Sequence, residues 1–496
     1  MRYDMLIAGA TVIDGLDSEP FQADVAVIDD VIVAVGQLNA SDADTVVDAK
    51  GLVLSPGFID VHTHDDTNVI RMPECLPKIS QGVTTTIVGN CGISASPAVL
   101  HNAPPDPMNL LGEQQDFQYP TFASYAAAVR EAQPAVNVAA LVGHTTLRNN
   151  VMDDLYRTAT QDEIAVMRAQ LTQALDDGAL GLSTGLAYAS AKSCDEAEVL
   201  SLSEALTQAN AIYTTHMRTE FEGILDAMDE AFRVGQRAKV PVVISHLKCA
   251  GAGNWGRTTE VLEKMDYTRK SQDIGCDCYP YTASSSTLDL NQVTDEFPIF
   301  ITWSKHHPTL AGRMLSDIAD ELNVSLMEAA KSLQPAGAVY HNMDAQDVER
   351  VLQYPLTMIG SDGLPNDPHP HPRLWGAFPR VLGYYSRDRG LFPLKTAIYK
   401  MTGLSAKRFN LARRGEIKIG HYADLVLFNP ETVNDSASFQ KPIQAATGIH
   451  TVWVNGKISY QQSIGVQGRH GRFLSRNDAK LPDDNADTHS VMETHS

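Results

Sequence analysis

The sequence predicts an α/β chain built on a (β/α)8 TIM-like barrel. A small β-sandwich made from both chain ends and an inserted subdomain over the barrel mouth complete it. Three observations predict this. Eight short apolar runs each end in a polar cluster, helical periodicity fills the intervals, and strand-rich texture flanks the middle on both sides. With 496 residues and 43% hydrophobic content there is material for one large barrel with appendages.

The chain opens with short apolar runs at 5–8, 11–13, 25–28 and 31–35, with Asp29-Asp30 as a tight turn. The same texture returns at 415–419, 424–428, 451–454 and 457–460, where Asn455-Gly456 has the composition of a hairpin turn. Chain ends of compact domains lie close together, so residues 1–50 and 415–475 are read as one discontinuous β-domain. Between them, residues 51–414 repeat strand, loop and helix. The run 52–61 is largely apolar and short, as a strand buried on both faces should be. Further strands are expected at 84–88, 136–142, 178–182, 211–214, 240–244, 274–278 and 356–359, with helices such as 161–176, 193–209 and 222–238. The interval from Tyr281 to Leu356 is too long for a loop and contains helical stretches, which predicts an insertion at about 285–345. The polar residues 476–496 read as a tail.

Composition narrows the partners. The net charge of −21 argues against nucleic acid and anionic membranes. Six cysteines scattered through so long a chain form no disulfide framework and no Cys-x-x-Cys zinc knuckle. The N-terminal residues lack the apolar core of a signal peptide and no run reaches membrane-spanning length, so a reducing cytoplasm is expected. Oligomeric state is not legible.

The strand ends carry the chemistry. His62 and His64, two apart, point to the same side of the first strand. Cys91 follows the second strand, His216 the fifth, His246 the sixth and Asp362 the eighth. A (β/α)8 barrel brings such ends to one point at its C-terminal face. Imidazole with thiolate favours zinc over magnesium or calcium. Zinc on Cys91, His216 and His246 leaves a fourth position for water, whose pKa it lowers to roughly 7. Asp362 is then the general base that passes the water's proton to a leaving amine. His62, His64 or His144 would help polarise a carbonyl oxygen. The set describes hydrolysis of an amide-like bond. Cys276 and Cys278, on one side of the seventh strand, are read as core.

Gly57-Phe58-Ile59-Asp60-Val61-His62-Thr63-His64, the later strand-end histidines and the strand-8 aspartate resemble the amidohydrolase superfamily. Its binuclear hydantoinase-like branch bridges two metals with a carboxylated lysine at the end of strand 4, where this chain has Ser183-Thr184-Gly185-Leu186. Instead, Val88-Gly89-Asn90-Cys91-Gly92-Ile93-Ser94 resembles the cysteine loop of the N-acyl-D-amino-acid deacylases (D-aminoacylases). So do Gly143-His144-Thr145-Thr146-Leu147-Arg148, Thr215-His216-Met217-Arg218, Ile244-Ser245-His246-Leu247-Lys248, Tyr279-Pro280-Tyr281 and Gly360-Ser361-Asp362-Gly363. The resemblance runs to about residue 475.

It implies hydrolysis of an N-acyl-D-amino acid, a small-molecule substrate, to a carboxylate and a free D-amino acid. It also implies one tightly bound Zn2+ on Cys91, His216 and His246, with Asp362 as the catalytic aspartate. His62 and His64 become a weaker second metal site or act in carbonyl polarisation. The α-carboxylate of such a substrate demands cationic and hydroxyl donors. The resemblance assigns these chiefly to Lys248, Tyr281 and Arg373, with Tyr188 and Ser286 beside them. No second arginine stands out on a post-strand loop, which favours broad or hydrophobic side chains over acidic ones. A cyclic amidase and a non-catalytic scaffold of the same fold are the alternatives. The missing strand-4 lysine counts against the first and the intact ligand set against the second.

Overall fold

The structure, a computed structural model, describes residues 2–480. The barrel strands are Phe58–Asp60, Val83–Val88, Asn137–Ala140, Gly181–Gly185, Ile212–His216, Val242–Ile244, Ile274–Cys278 and Thr357–Ile359. Neighbours pair in parallel. The third strand resumes as Val142–Gly143, which pairs with the fourth. The circle closes through a parallel bridge between Thr63 and Gly363. There the Asp362 N–H also donates to the His62 carbonyl at 2.8 Å.

Outer helices begin where the sequence supplies caps. Thr160 and Glu163 form a capping box ahead of Gln161–Asp176, which buries Ile164, Met167, Leu171 and Leu175 against the barrel. Asp195 caps Glu196–Ala209, and Asn210 ends that helix in the left-handed conformation.

The apolar run 52–61 is two strands rather than one. Val53–Pro56 pairs antiparallel with Leu425–Phe428 and parallel with Tyr3–Val12, whereas Phe58–Asp60 opens the barrel. Gly57 makes the change of sheet possible, since a Cβ there would lie 2.1 Å from Thr84 Oγ1. Val53–Pro56 is thereby the strand that joins the two chain ends in one nine-stranded sheet. Residues 415–419, expected as a strand, are turn and irregular backbone. Gly415 at φ 78° is packed against Thr402 and Ala406 there, which leaves no sheet edge to extend.

The insertion is a four-stranded antiparallel sheet of Ser284–Thr287, Ala336–Tyr340, Ile299–Ser304 and Arg313–Met314, with helices Leu315–Leu322 and Leu326–Leu333. It has its own core around Ile299, Ile301, Ile318 and Ala338. The expected tail falls mostly on 481–496, outside the described residues. Before it, Arg476–Lys480 forms a 3-10 turn and Arg476 donates to the Ala179 carbonyl at 3.0 Å. Among the described residues no helix is long and apolar enough to cross a membrane.

One buried cation pins the barrel seam. Lys78 Nζ reaches Asp60 Oδ2 at 2.9 Å, Asp65 Oδ2 at 3.1 Å and Ser361 Oγ at 2.7 Å. Replacing Lys78 by Met leaves the Asp60 and Asp65 carboxylates buried without their cation, a loss of about 3–5 kcal/mol. Thermal melting of Lys78→Met should show a clearly lowered midpoint; an unchanged one would refute the role of this pin.

Candidate active site

The loop after the second barrel strand is compressed between its neighbours. Gly89 and Gly92 hold φ of 80° and 77°, and a Cβ on them would lie 2.2 Å from Leu141 O and 2.6 Å from Gly185 N. Between them Cys91, at φ 54°, turns its sulfur into the barrel mouth. His246 (φ 36°) and Asp362 (φ 49°) share this left-handed backbone. Three non-glycine residues held so at one point mark a place where geometry is imposed on the chain.

Two donor groups meet on Cys91. His62, His64, Cys91 and Asp362 form one and Cys91, His216 and His246 the other, with the ligand atoms of each group within 4.8 Å of one another. Cys91 Sγ lies 3.2 Å from His62 Nε2 and 3.4 Å from His246 Nε2, and His246 Nε2 is 3.0 Å from His216 Nδ1. Asp362 Oδ1 is 3.1 Å from His64 Nε2 and its Oδ2 is 2.8 Å from Arg373 Nη1. Burial would raise the Cys91 thiol, but His62 and His246 bring it well below its usual range. Burial would likewise raise Asp362, yet Arg373 and His62 hold it well below the ordinary carboxylate range. Both shifts favour the ionised forms, a thiolate and a carboxylate, which are the forms that ligate a metal and accept a proton. Sulfur and imidazole nitrogen crowded so closely fit zinc better than a hard cation.

Three residues that the sequence reading passed over orient this set. Asp277 sits between Cys276 and Cys278, so strand alternation turns it inward while the cysteines face out. Its carboxylate lies 3.2 Å from His62 Nδ1 and accepts the His246 N–H at 3.0 Å. Glu220, four residues after His216, holds His246 Nδ1 at 2.8 Å and Lys248 Nζ at 2.6 Å. Burial would raise Glu220, but Lys248 and His246 bring it down to about 2. Tyr279 lies under both cations, its ring 5.6 Å from Lys248 Nζ and 4.5 Å from Arg373 Cζ. Alternation was the signal for Asp277, and Tyr279 stood in the Tyr279-Pro280-Tyr281 motif without a role; nothing in the sequence marked Glu220.

A chamber of about 750 Å³ opens above these groups, walled by His64, His216, His246 and Asp362 below and by the insertion above. The family model described as "Amidohydrolase family" matches residues 45–460. A D-aminoacylase of Alcaligenes xylosoxydans xylosoxydans is 48% identical over 96% of this chain and 98% of its own length. The chain belongs to the D-aminoacylase branch of the amidohydrolase superfamily. An N-acyl-D-glutamate deacylase from the same organism is 41% identical over 96% of this chain and 97% of its own. The crystal structure of a D-aminoacylase superposes with a TM-score of 0.93 at 49% identity, covering 96% of this chain and all of the other. An N-acyl-D-glutamate deacylase from Bordetella bronchiseptica, complexed with zinc and a phosphonate inhibitor that mimics the tetrahedral intermediate, matches with the same TM-score at 41% identity. It covers 96% of this chain and 100% of that one. A D-hydantoinase, at 15% identity and a TM-score of 0.59, shares the fold alone.

Within this family frame the expected substrate contacts divide. Lys248, Tyr188 and Ser286 line the chamber. Arg373 is fully buried behind Asp362, donates to the Ser285 carbonyl at 3.1 Å and keeps Nε without a hydrogen-bond partner. Tyr281 is not brought in. Its hydroxyl donates to Asp435 at 3.3 Å beside Arg380, because Tyr279, two residues earlier, already occupies the face under Lys248. His144 is also elsewhere: fully buried, it bonds Glu198 at 2.8 Å and lies outside the chamber lining.

The metal-free cluster holds protons that a metal must displace. Burial would lower His64 and His246, but Asp362 raises the first, and Glu220 and Cys91 the second, each to about 9. These imidazoles are charged below that pH and become neutral ligands above it. Zinc affinity of the metal-free protein should therefore rise from pH 6 to 9, with protons released on binding, as competition against a chelator would measure. A flat profile would contradict the arrangement.

Proposed function

We propose that the chain hydrolyses the amide bond of N-acyl-D-amino acids, with Zn2+ held tightly by Cys91, His216 and His246. The observation that carries this reading is a donor set centred on Cys91, with the Asp362 carboxylate alongside and Lys248 on the chamber wall. Bound zinc supplies Lewis acidity and acidifies water. Asp362 takes the proton from the attacking water and delivers it to the leaving amine nitrogen. His64 and Arg373 fix its two oxygens from opposite sides, so the accepting lone pair keeps one direction. His62 and His64 serve a second, weaker metal position beside Asp362.

Lys248, Arg373 and the Ser285–Ser286 hydroxyls take the α-carboxylate, with Tyr279 in the place first given to Tyr281. This is supported by the Ser285 hydroxyl and Arg373 Nε, both buried without partners. Anchoring carboxylate and scissile carbonyl leaves one direction for the side chain, toward Leu288 and Tyr340 of the insertion. The insertion contributes Asp289 and no lysine or arginine to the chamber. Arg218, which does line it, is neutralised by Glu230 at 2.7 Å. Of the cations on the wall, Lys248 and Arg218 are paired with Glu220 and Glu230 and only the exposed Lys192 lacks a carboxylate among the described residues, so uncharged side chains are favoured over the acidic ones named for the aspartate and glutamate relatives. A reducing, cytoplasmic setting is supported by six cysteines that are all free and buried.

Asp362→Asn should lower turnover of N-acetyl-D-amino acids by about 10²–10⁴-fold with zinc still bound, and substantial remaining turnover would refute the assigned base. In a panel of N-acetyl-D-amino acids, uncharged side chains should exceed D-Asp and D-Glu in kcat/KM. Preference for an acidic substrate would overturn the side-chain reading.

A further inference from the structure

Tyr188 stands at the chamber wall with its ring centroid 4.9 Å from that of His216, yet no helix longer than one turn supports it. It begins the short segment Ala189–Lys192 that leads to the helix Glu196–Ala209. Such a segment has too few buried apolar contacts of its own to fix an aromatic side chain against a metal ligand.

Two arginines hold it from opposite sides. Arg148, fully buried on the helix His144–Val151, donates to the Ser190 carbonyl at 3.3 Å and to Ser193 Oγ at 3.2 Å. Its Nη1 alone donates to both Glu198 oxygens, at 2.6 and 2.7 Å, and Glu198 is gripped again by His144 Nε2 at 2.8 Å. From the fifth strand's loop, Arg218 donates to the Lys192 carbonyl at 3.0 Å and the Cys194 carbonyl at 3.2 Å. Glu230 fixes that guanidinium through both nitrogens, at 2.7 and 2.9 Å. The two-nitrogen fork of Arg218 on Glu230 and the Arg148–Glu198–His144 chain restrict both guanidiniums, since charge-assisted hydrogen bonds add geometric specificity as well as energy. His144, Cys194 and Glu198 have the composition of a metal site, but Arg148 already occupies both Glu198 oxygens.

We propose that Arg148 and Arg218 are positioning residues that clamp the 188–194 segment and thereby hold Tyr188 in register with His216 and the substrate carbonyl. Arg218 follows His216 by two residues on the same loop, so one loop sets both the ligand and its aromatic neighbour. This rests on the reading that Tyr188 contacts substrate.

The test is a double-mutant cycle of Arg218→Ala with Tyr188→Phe in the zinc-loaded, full-length enzyme. Each single change should lower kcat/KM by about tenfold or more, since a misplacement near 1 Å costs on that scale. Zinc content should stay stoichiometric. In the Tyr188→Phe background Arg218→Ala should add little, and Arg218→Lys should restore part of the loss in the otherwise wild-type enzyme. Equal losses from Arg218→Ala in both backgrounds would overturn the proposal. So would full activity of Tyr188→Phe, because the clamp would then hold nothing that matters. Arg148→Lys, which keeps the charge but loses the Nε and Nη2 donors to Ser190 and Ser193, should show the same dependence on Tyr188; an independent loss would overturn the role of Arg148. Wild-type inactivity on every N-acyl-D-amino acid would instead refute the proposed function.

Discussion

One sulfur atom governs the mouth of this barrel. Cys91 Sγ lies within 3.4 Å of imidazoles from the first and sixth strands and belongs to both candidate ligand groups. A thiolate in a dry site is costly unless positive charge or hydrogen bonds surround it. His62, His216 and His246 therefore converge on it, and the glycine-flanked loop accepts a left-handed residue to deliver it. The fourth strand ends in Ser183-Thr184-Gly185 with no lysine, and Cys91 is the residue common to both groups.

Around that centre, charge alternates in layers. Asp277 and Glu220 orient the imidazoles from behind, Lys248 satisfies Glu220, and Arg373 satisfies Asp362. Each buried charge meets an opposite one within hydrogen-bonding distance, as a low-dielectric interior requires. Such a lattice is stiff. It also keeps Asp362 ionised and pointed, which suits proton transfer better than a freely rotating carboxylate.

The remaining elements decide what reaches this centre. The insertion folds around a core of its own, so it can present Leu288, Asp289 and Tyr340 as a wall without disturbing the barrel. The two ends of the chain close into one sheet through Val53–Pro56, immediately before the first barrel strand. Gly57 then turns the backbone into the barrel, so the outer sheet and the His62–His64 segment are rigidly coupled.

The barrel, the insertion and the sheet made from both ends are legible in the chain itself, because apolar runs ending in polar residues are local signals with a fixed period. So are Cys91, His62, His64, His216, His246 and Asp362, since a barrel brings strand ends together whatever their separation along the chain. That the run 52–61 divides at Gly57 emerges on folding, because the contact with Thr84 is a long-range event. Folding also places Tyr279 rather than Tyr281 beneath Lys248, and binds His144 to Glu198 instead of facing it to the chamber. A shift of two residues leaves composition and strand face unchanged, so pattern could not separate those tyrosines. Which partner a buried histidine or carboxylate finds depends on side chains brought from other strands, and that is set by packing in three dimensions.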